Sequence, residues 1–259
     1  MINREETAAP DTNDSPPFPS SWTAAMNAQG RECLRKWADT STEPHLSGNV
    51  PMSVSANVLK PAVSDSMRET LYKSFYPLLE TGNKQIPSEA MSGLEESGTE
   101  RLPKTYHLKG CSLDETDSEA YNRACNLGVL SLLNSEELLN VAEGVSNYTL
   151  EGPVGRELLC YEEGDYSGPH TDHHPNDPHR NSGYVDIHLT LCNEYVSQQL
   201  LVCSRNNHLS QQFDVGRNSA ISLSRLPVWH YTTPLVAKSG HQEDARRWLL
   251  LATYQQTSD

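Results

Sequence analysis

Tyr161-Glu162-Glu163-Gly164-Asp165-Tyr166-Ser167-Gly168-Pro169-His170-Thr171-Asp172 is the stretch around which the rest of the chain falls into place. Leu158-Leu159-Cys160-Tyr161 reads as a short apolar strand, and Gly164, Gly168 and Pro169 then turn the chain. The stretch ends in His170-x-Asp172, where one intervening residue lets both side chains project to the same side of a strand and turn. His230 follows much later, and then the pair Arg246-Arg247. Two imidazoles and one carboxylate can occupy one face of an octahedral metal ion and leave three positions open for small molecules. A guanidinium fork close by could hold a carboxylate at two points.

The segments around this constellation predict many short strands. Tyr184 to Cys192 alternates strictly, with Val185, Ile187, Leu189 and Leu191 on one face and Asp186, His188, Thr190 and Cys192 on the other. Leu200–Cys203, Ala220–Leu223, Trp229–Thr232 and Trp248–Tyr254 complete the set, as expected of a sandwich or barrel. The polar face of the 184–192 strand suits a barrel with a wet pocket, and equally an ordinary half-exposed strand. Upstream of Tyr148 the pattern is helical. Ser20 or Ser21 caps a helix carrying Trp22, Met26, Leu34 and Trp37, and a second begins near Ser64 with Met67, Leu71 and Phe75, limited by Pro77. Residues 117–133 form a third, and Asn134 or Ser135 opens a fourth with Glu136 and Glu137 in its first turn. The polar stretch 83–104 reads as a loop, and the Pro- and Asp-rich residues 1–19 as a disordered tail. The division expected is therefore a tail (1–19), a helical region packing on the core (20–147) and a β core (148–259).

The net charge is −14, from 34 acidic and 20 basic side chains, which disfavours a phosphate backbone as partner. The six cysteines include no C-x-x-C pair. No apolar run matches a secretory signal or a bilayer span. The expectation is a reducing, cytoplasmic setting with free thiols and no membrane partner.

The 161–172 stretch resembles the Y-x-x-G…P-H-x-D strand and turn of the Fe(II)- and 2-oxoglutarate-dependent oxygenases, in their prolyl-4-hydroxylase-like branch. Leu191-Cys192-Asn193 is similar to that family's strand ending in Leu-Asn, and Gly216 to its turn before the strand leading to the distal histidine. His230…Pro234 and Gly240…Arg247 are similar to its H-x-x-x-P and its arginine opening the last strand. The resemblance implies a mainly β fold with N-terminal helices (α+β) around a double-stranded β-helix, or jelly-roll, core. It implies that His170, Asp172 and His230 bind Fe(II), that Arg247 pairs with the distal carboxylate of 2-oxoglutarate, and that Tyr161 adds a hydrogen bond to it. Arg246 is the alternative anchor; strand parity favours Arg247. O2 is the co-substrate. The implied reaction decarboxylates 2-oxoglutarate to succinate and oxidises a C–H bond by hydroxylation, desaturation or cyclisation. The carboxylate of Asp172 excludes the halogenating relatives, in which a small residue stands there. Ser197-Gln198-Gln199 replaces the family's Gly-Gly, a departure that touches the pocket's loop geometry.

A small-molecule substrate is expected, with a peptidyl or protein hydroxylase as the alternative within the fold and a non-oxygenase metal-binding jelly roll outside it. His170-Thr171-Asp172-His173 is also half of a dinuclear zinc hydrolase motif, but Gly168 stands where its first histidine belongs. After Arg247 the last strand carries no second arginine, unlike the nucleic-acid demethylases. His173, His174 and His179 read as a Pro-shaped turn or a lid; His188, Asp186 and Arg225 are candidate substrate contacts, and Trp229 reads as packing.

Overall fold

A computed structural model describes residues 18–39, 46, 52–85, 105–170, 184–205, 209–216, 218–226 and 228–257. Among these, the helices are α1 (Trp22–Ala25), α2 (Ala28–Trp37), α3 (Pro61–Ser74), α4 (Glu119–Asn126), α5 (Val129–Leu133) and α6 (Glu136–Ser146). The strands are β1 (Met52–Ala56), β2 (Glu80–Gln85), β3 (Thr105–Ser112), β4 (Leu150–Tyr161), β5 (Tyr166–Ser167), β6 (Tyr184–Cys192) and β7 (Val196–Gln198). They continue as β8 (Leu200–Arg205), β9 (Leu209–Asp214), β10 (Ser219–Leu226), β11 (His230–Thr232), β12 (Val236–Ala237) and β13 (Arg247–Gln256). One large antiparallel sheet runs β1-β10-β6-β13-β4-β3-β2, with β5 added to β3; smaller sheets pair β11-β8-β9 and β12-β7. This is the mainly β architecture with helices that a jelly-roll core predicts.

The period of two in β6 and β13 organises the molecule. Val185, Ile187, Leu189 and Leu191, with Trp248, Leu250, Ala252 and Tyr254, point to one face, where they join Met67, Leu71, Leu138, Val141 and Val145 of the helices in a single apolar cluster. The other face of β13 carries Arg247, Leu249, Leu251 and Thr253 into a cavity. Both faces are covered, so all nine residues of β6 are buried. Buried polar ends are met: Tyr254 Oη donates to Leu133 O at 2.9 Å, and Trp22 Nε1 to Leu132 O at 2.9 Å.

Several elements differ from the sequence reading, each for a local reason. The first helix is two. Ser21 caps α1 and Asn27 caps α2 by accepting from Gly30 N at 2.9 Å, while Met26 between them is extended and bridges to Leu59. The 117–133 helix is also two, broken at Gly128, whose φ of 84° lies in the left-handed region. β4 is far longer than Leu158–Tyr161 and runs with register shifts past Gly152 and Pro153, residues that read as punctuation. Residues 52–112 supply β1, β2 and β3 to the large sheet, so the region expected to be helical is α/β mixed, and Asn83–Gln85 belong to β2 instead of a loop. Phe18, expected in the tail, is buried and its N–H donates to Leu127 O at 3.3 Å; residues 1–17 and 86–104 lie outside the described residues. No helix among the described residues is long and apolar enough to cross a membrane.

Candidate metal and oxyacid site

β4 delivers the chain to Tyr161, and a tight turn reverses it. Asp165 N donates to Glu162 O at 3.0 Å, and the Asp165 carboxylate accepts from Glu162 N at 2.8 Å. Gly164 sits at φ +82°, a conformation that favours glycine. The turn is pinned to β11's continuation by reciprocal bonds, Gly164 N to Leu235 O and Leu235 N to Asp165 O, both 2.9 Å. The chain then climbs through β5, where Ser167 N donates to Thr232 Oγ1 at 2.8 Å, to His170.

At the top of this climb His170 and His230 pair as an isolated antiparallel bridge, with N–H to O distances of 3.0 Å in both directions. Their rings are 4.5 Å apart, centre to centre, and both residues are buried. The Nδ1 of His170 lies 2.5 Å from Gly168 O, and that of His230 lies 3.0 Å from Val228 O. A carbonyl can only accept, so each Nδ1 carries a proton, and in the neutral ring Nε2 is the nitrogen that could ligate a metal. This backbone support of the far nitrogen is the outer-shell arrangement that orients metal-ligating imidazoles. The donor set fits a divalent metal ion. Two of the three ligands expected from the sequence therefore come together; Asp172, with His173, His174 and His179, lies outside the described residues.

Arg247 opens β13 opposite Tyr161 on β4 and is buried to 2 % exposure. Its Nη1 donates to Gln199 Oε1 at 2.9 Å and its Nη2 to Thr190 Oγ1 at 3.3 Å, and its guanidinium carbon stands 4.7 Å from the Tyr161 ring centre. Its buried Nε has no hydrogen-bond partner among the described residues. Among the described residues these partners are neutral. A buried charge held only by neutral groups is costly, and an anionic ligand would offset that cost. Arg246 does not share the site. Arg246 immediately precedes the strand and points to the opposite face, 3.1 Å from Glu162 Oε1 and over the rings of Tyr72 and Tyr76. Of the two arginines, Arg247 lines the cavity and Arg246 does not.

His170, His230, Arg247 and Tyr161 line one cavity of about 680 Å3. The vertical order follows from the strands. Gln199 Nε2 donates to Thr233 O at 2.9 Å while Gln199 Oε1 meets Arg247, so the Thr233 end of β11 is level with Arg247. His230 is three residues up that strand, roughly 10 Å higher. Further along β13, Leu251 lies opposite Glu157 of β4 and His188 of β6, and Thr253 opposite Asp186. These side chains also line the cavity. Tyr106 stands edge-on to the His170 ring at 5.0 Å. Trp229 is buried beside His230, and the side chain of Arg225 lies outside those described. Burial pushes the Cys192 thiol up to about 12, so this inward-facing cysteine is a neutral packing group. Gln199 was the residue that sequence reasoning missed: a glutamine in a loop-like run carries no pattern that announces burial.

No family model matches the chain, and no curated protein does. Among solved structures it is similar to a prolyl hydroxylase from Trichoplax adhaerens in complex with a hypoxia inducible factor peptide fragment, at 15% identity and a TM-score of 0.54, over 88% of this chain and 90% of that one. It is also similar to a non-haem alpha ketoglutarate dependent carbocyclase of nogalamycin biosynthesis, at 10% identity and a TM-score of 0.51, over 87% of this chain and 83% of that one. The fold is therefore that of the Fe(II)- and 2-oxoglutarate-dependent oxygenases in their prolyl-hydroxylase-like form.

Proposed function

We propose that the protein is an Fe(II)- and 2-oxoglutarate-dependent oxygenase that oxidises an unactivated C–H bond of a small molecule, releasing succinate and CO2. The observation that carries this reading is the buried Arg247, held by neutral partners and sharing one cavity with two imidazoles whose lone pairs are set by backbone carbonyls. His170 and His230, with Asp172 two residues along, would hold the iron. When bound, the iron supplies the redox capacity to activate O2 and the Lewis acidity to bind a 2-oxo acid.

The remaining work falls to the chain itself. Arg247 anchors the distal carboxylate, and its bonds to Gln199 and Thr190 fix the fork before the co-substrate arrives, which removes an ordering cost from binding. The Tyr161 ring closes the floor below the guanidinium. Leu201, Leu249 and Leu251 give the cavity apolar lining beside these polar groups. The substrate enters from the far end, where Glu157, His188 and Asp186 offer polar contacts.

The test is succinate release from 2-oxoglutarate by the purified chain. Release that requires both Fe(II) and 2-oxoglutarate, rises with a candidate substrate and disappears in His170→Ala is the expected result. Full turnover in that variant would end the assignment. A peptide substrate is the second reading, because the solved prolyl hydroxylase with the same fold carries a peptide. A panel containing free amino acids, biosynthetic intermediates and proline-containing peptides separates the two.

A further inference from the structure

We infer that Gln199 is a positioning residue that makes the site demand a dicarboxylate: its neutral amide fixes the Arg247 fork and leaves the guanidinium charge uncompensated. The inference rests on the co-substrate reading given above. Gln199 is fully buried and stands behind Arg247, outside the cavity lining. Its amide makes three bonds. Oε1 accepts from Arg247 Nη1 at 2.9 Å, and Nε2 donates to Asp165 O at 3.1 Å and to Thr233 O at 2.9 Å.

The two carbonyls decide the chemistry of this side chain. Both accept only, so the group facing them must donate twice, while the group facing Arg247 must accept. An amide does both. A carboxylate cannot donate to the carbonyls, although it would pair better with the guanidinium. The turn after β4 and the end of β11 thus select a neutral partner for the buried cation. Thr190 and the Tyr161 ring are neutral as well, so among the described residues no carboxylate meets Arg247. The positive charge is kept for a ligand.

The main chain of Gln199 is equally constrained. Val215 N donates to Gln199 O at 2.9 Å, and the next residue is clamped by Leu200 N to Thr233 Oγ1 at 3.0 Å and Thr233 N to Leu200 O at 2.9 Å. A Cβ on Gly216 would sit 2.8 Å from Gln199 N, so glycine there is what lets the two segments approach. The replacement of the family's Gly-Gly by Ser197-Gln198-Gln199 acquires a purpose in this arrangement: it puts an amide between Arg247 and the two carbonyls.

The experiment measures binding by the full-length chain, anaerobically with Fe(II), of 2-oxoglutarate and of 2-oxovalerate, which has the same chain length but no distal carboxylate. Stabilisation of the metal-free protein by 2-oxoglutarate against heat gives a second readout. The wild type should prefer 2-oxoglutarate by about 100-fold or more. Gln199→Glu neutralises the fork from within. Its affinity for 2-oxoglutarate should fall at least about tenfold, and its preference over 2-oxovalerate to within about threefold, with 2-oxovalerate binding unchanged. Gln199→Met keeps the charge but frees the fork, so 2-oxoglutarate affinity should fall while the preference survives. A purely structural Gln199 would lower the unfolding temperature and leave both ratios intact. Wild-type affinity and preference in folded Gln199→Glu would overturn the inference, as would unchanged 2-oxoglutarate affinity in Gln199→Met if the glutamate variant does not fold. A wild type without preference for 2-oxoglutarate would instead overturn the co-substrate reading, and this inference with it.

Discussion

The backbones of His170 and His230 hydrogen-bond to each other in both directions at 3.0 Å, although the two residues are far apart in the chain. The pair therefore behaves as one rigid step of sheet, and the ring separation of 4.5 Å follows from the backbone rather than from a metal drawing two loose side chains together. Replacing either imidazole by alanine should weaken Fe(II) binding by more than about 100-fold, since loss of even an outer-shell partner of a ligand costs 10 to 100. Equilibrium metal titration checks this. A folded His230→Ala chain with wild-type Fe(II) affinity would refute the ligand assignment.

Arg247 offers two separable properties, charge and fork geometry. Arg247→Met should raise the KM for 2-oxoglutarate by about 100-fold and leave the KM of the oxidised substrate unchanged. Arg247→Lys retains the charge without the two-point grip and should fall between, at about tenfold. Steady-state kinetics with each substrate varied in turn gives both numbers, and an equal rise in both KM values would count against the anchor role.

Glu162, at the end of β4, is the centre of a charged network. Lys109 Nζ lies 2.7 Å from its Oε2, Arg246 Nη2 lies 3.1 Å from its Oε1, and Tyr76 Oη donates to it at 2.6 Å. Burial would raise its carboxyl, but the bonds from Lys109 and Tyr76 and the Arg246 charge outweigh that and hold it below its ordinary value of 4.5. Lys109 is shifted the complementary way: burial lowers its ammonium, yet Glu162 and Tyr76 raise it on balance. A depressed carboxyl contributes stability above its unfolded pKa and loses it as pH falls through the folded one. Glu162→Gln should thus cost roughly 1–3 kcal/mol at neutral pH, and the difference from wild type should shrink as the pH drops below 4.5. Chemical denaturation at a series of pH values tests this; a difference independent of pH would show that the charge is not what matters.

Gly144 on α6 lies against the end of α2, where an added Cβ would stand 2.1 Å from Trp37 O and 2.7 Å from Ala38 Cα. Both obstacles are backbone, so the helices must separate to accept it. Gly144→Ala should destabilise the chain by about 1–3 kcal/mol, with Fe(II) and 2-oxoglutarate affinities of the folded protein unchanged. A denaturation midpoint equal to the wild type would mean that the helix crossing yields more easily than the geometry indicates.

What was legible in the sequence is what has a period or a motif. β6 alternates without a break over its full length and was legible to its true ends; whether its polar face looked into a pocket or to solvent was open in the sequence, and the structure buries that face, with Asp186 and His188 lining the cavity. His170 and His230 were singled out by the ordered motif of His-x-Asp, a distal His with a proline four residues on and an arginine opening the last strand, and the structure brings the two rings together. β1, β2 and β3 were not: Met52-Ser-Val-Ser-Ala56 alternates but over only five residues, Glu80-Thr-Gly-Asn-Lys-Gln85 has no apolar side chain, and β3 mixes Tyr106 and Leu108 with His107, Lys109 and Gly110. Their stability comes from the sheet they join. The two split helices failed for a different reason: a single capping side chain at Asn27 and a single left-handed residue at Gly128 override an otherwise continuous helical pattern. Gln199 was invisible because its role arises from two distant carbonyls and a distant arginine, none of which is a neighbour in sequence.

The large sheet takes β1 on one flank and β3 with β2 on the other, all from residues that precede the barrel. A fragment starting at the barrel's own first strand would bare hydrogen-bonding edges on both sides, an invitation to pair with other copies. The half that carries His170, His230 and Arg247 is therefore not a portable module. It can be inherited, fused or expressed in soluble form only together with the segment ahead of it.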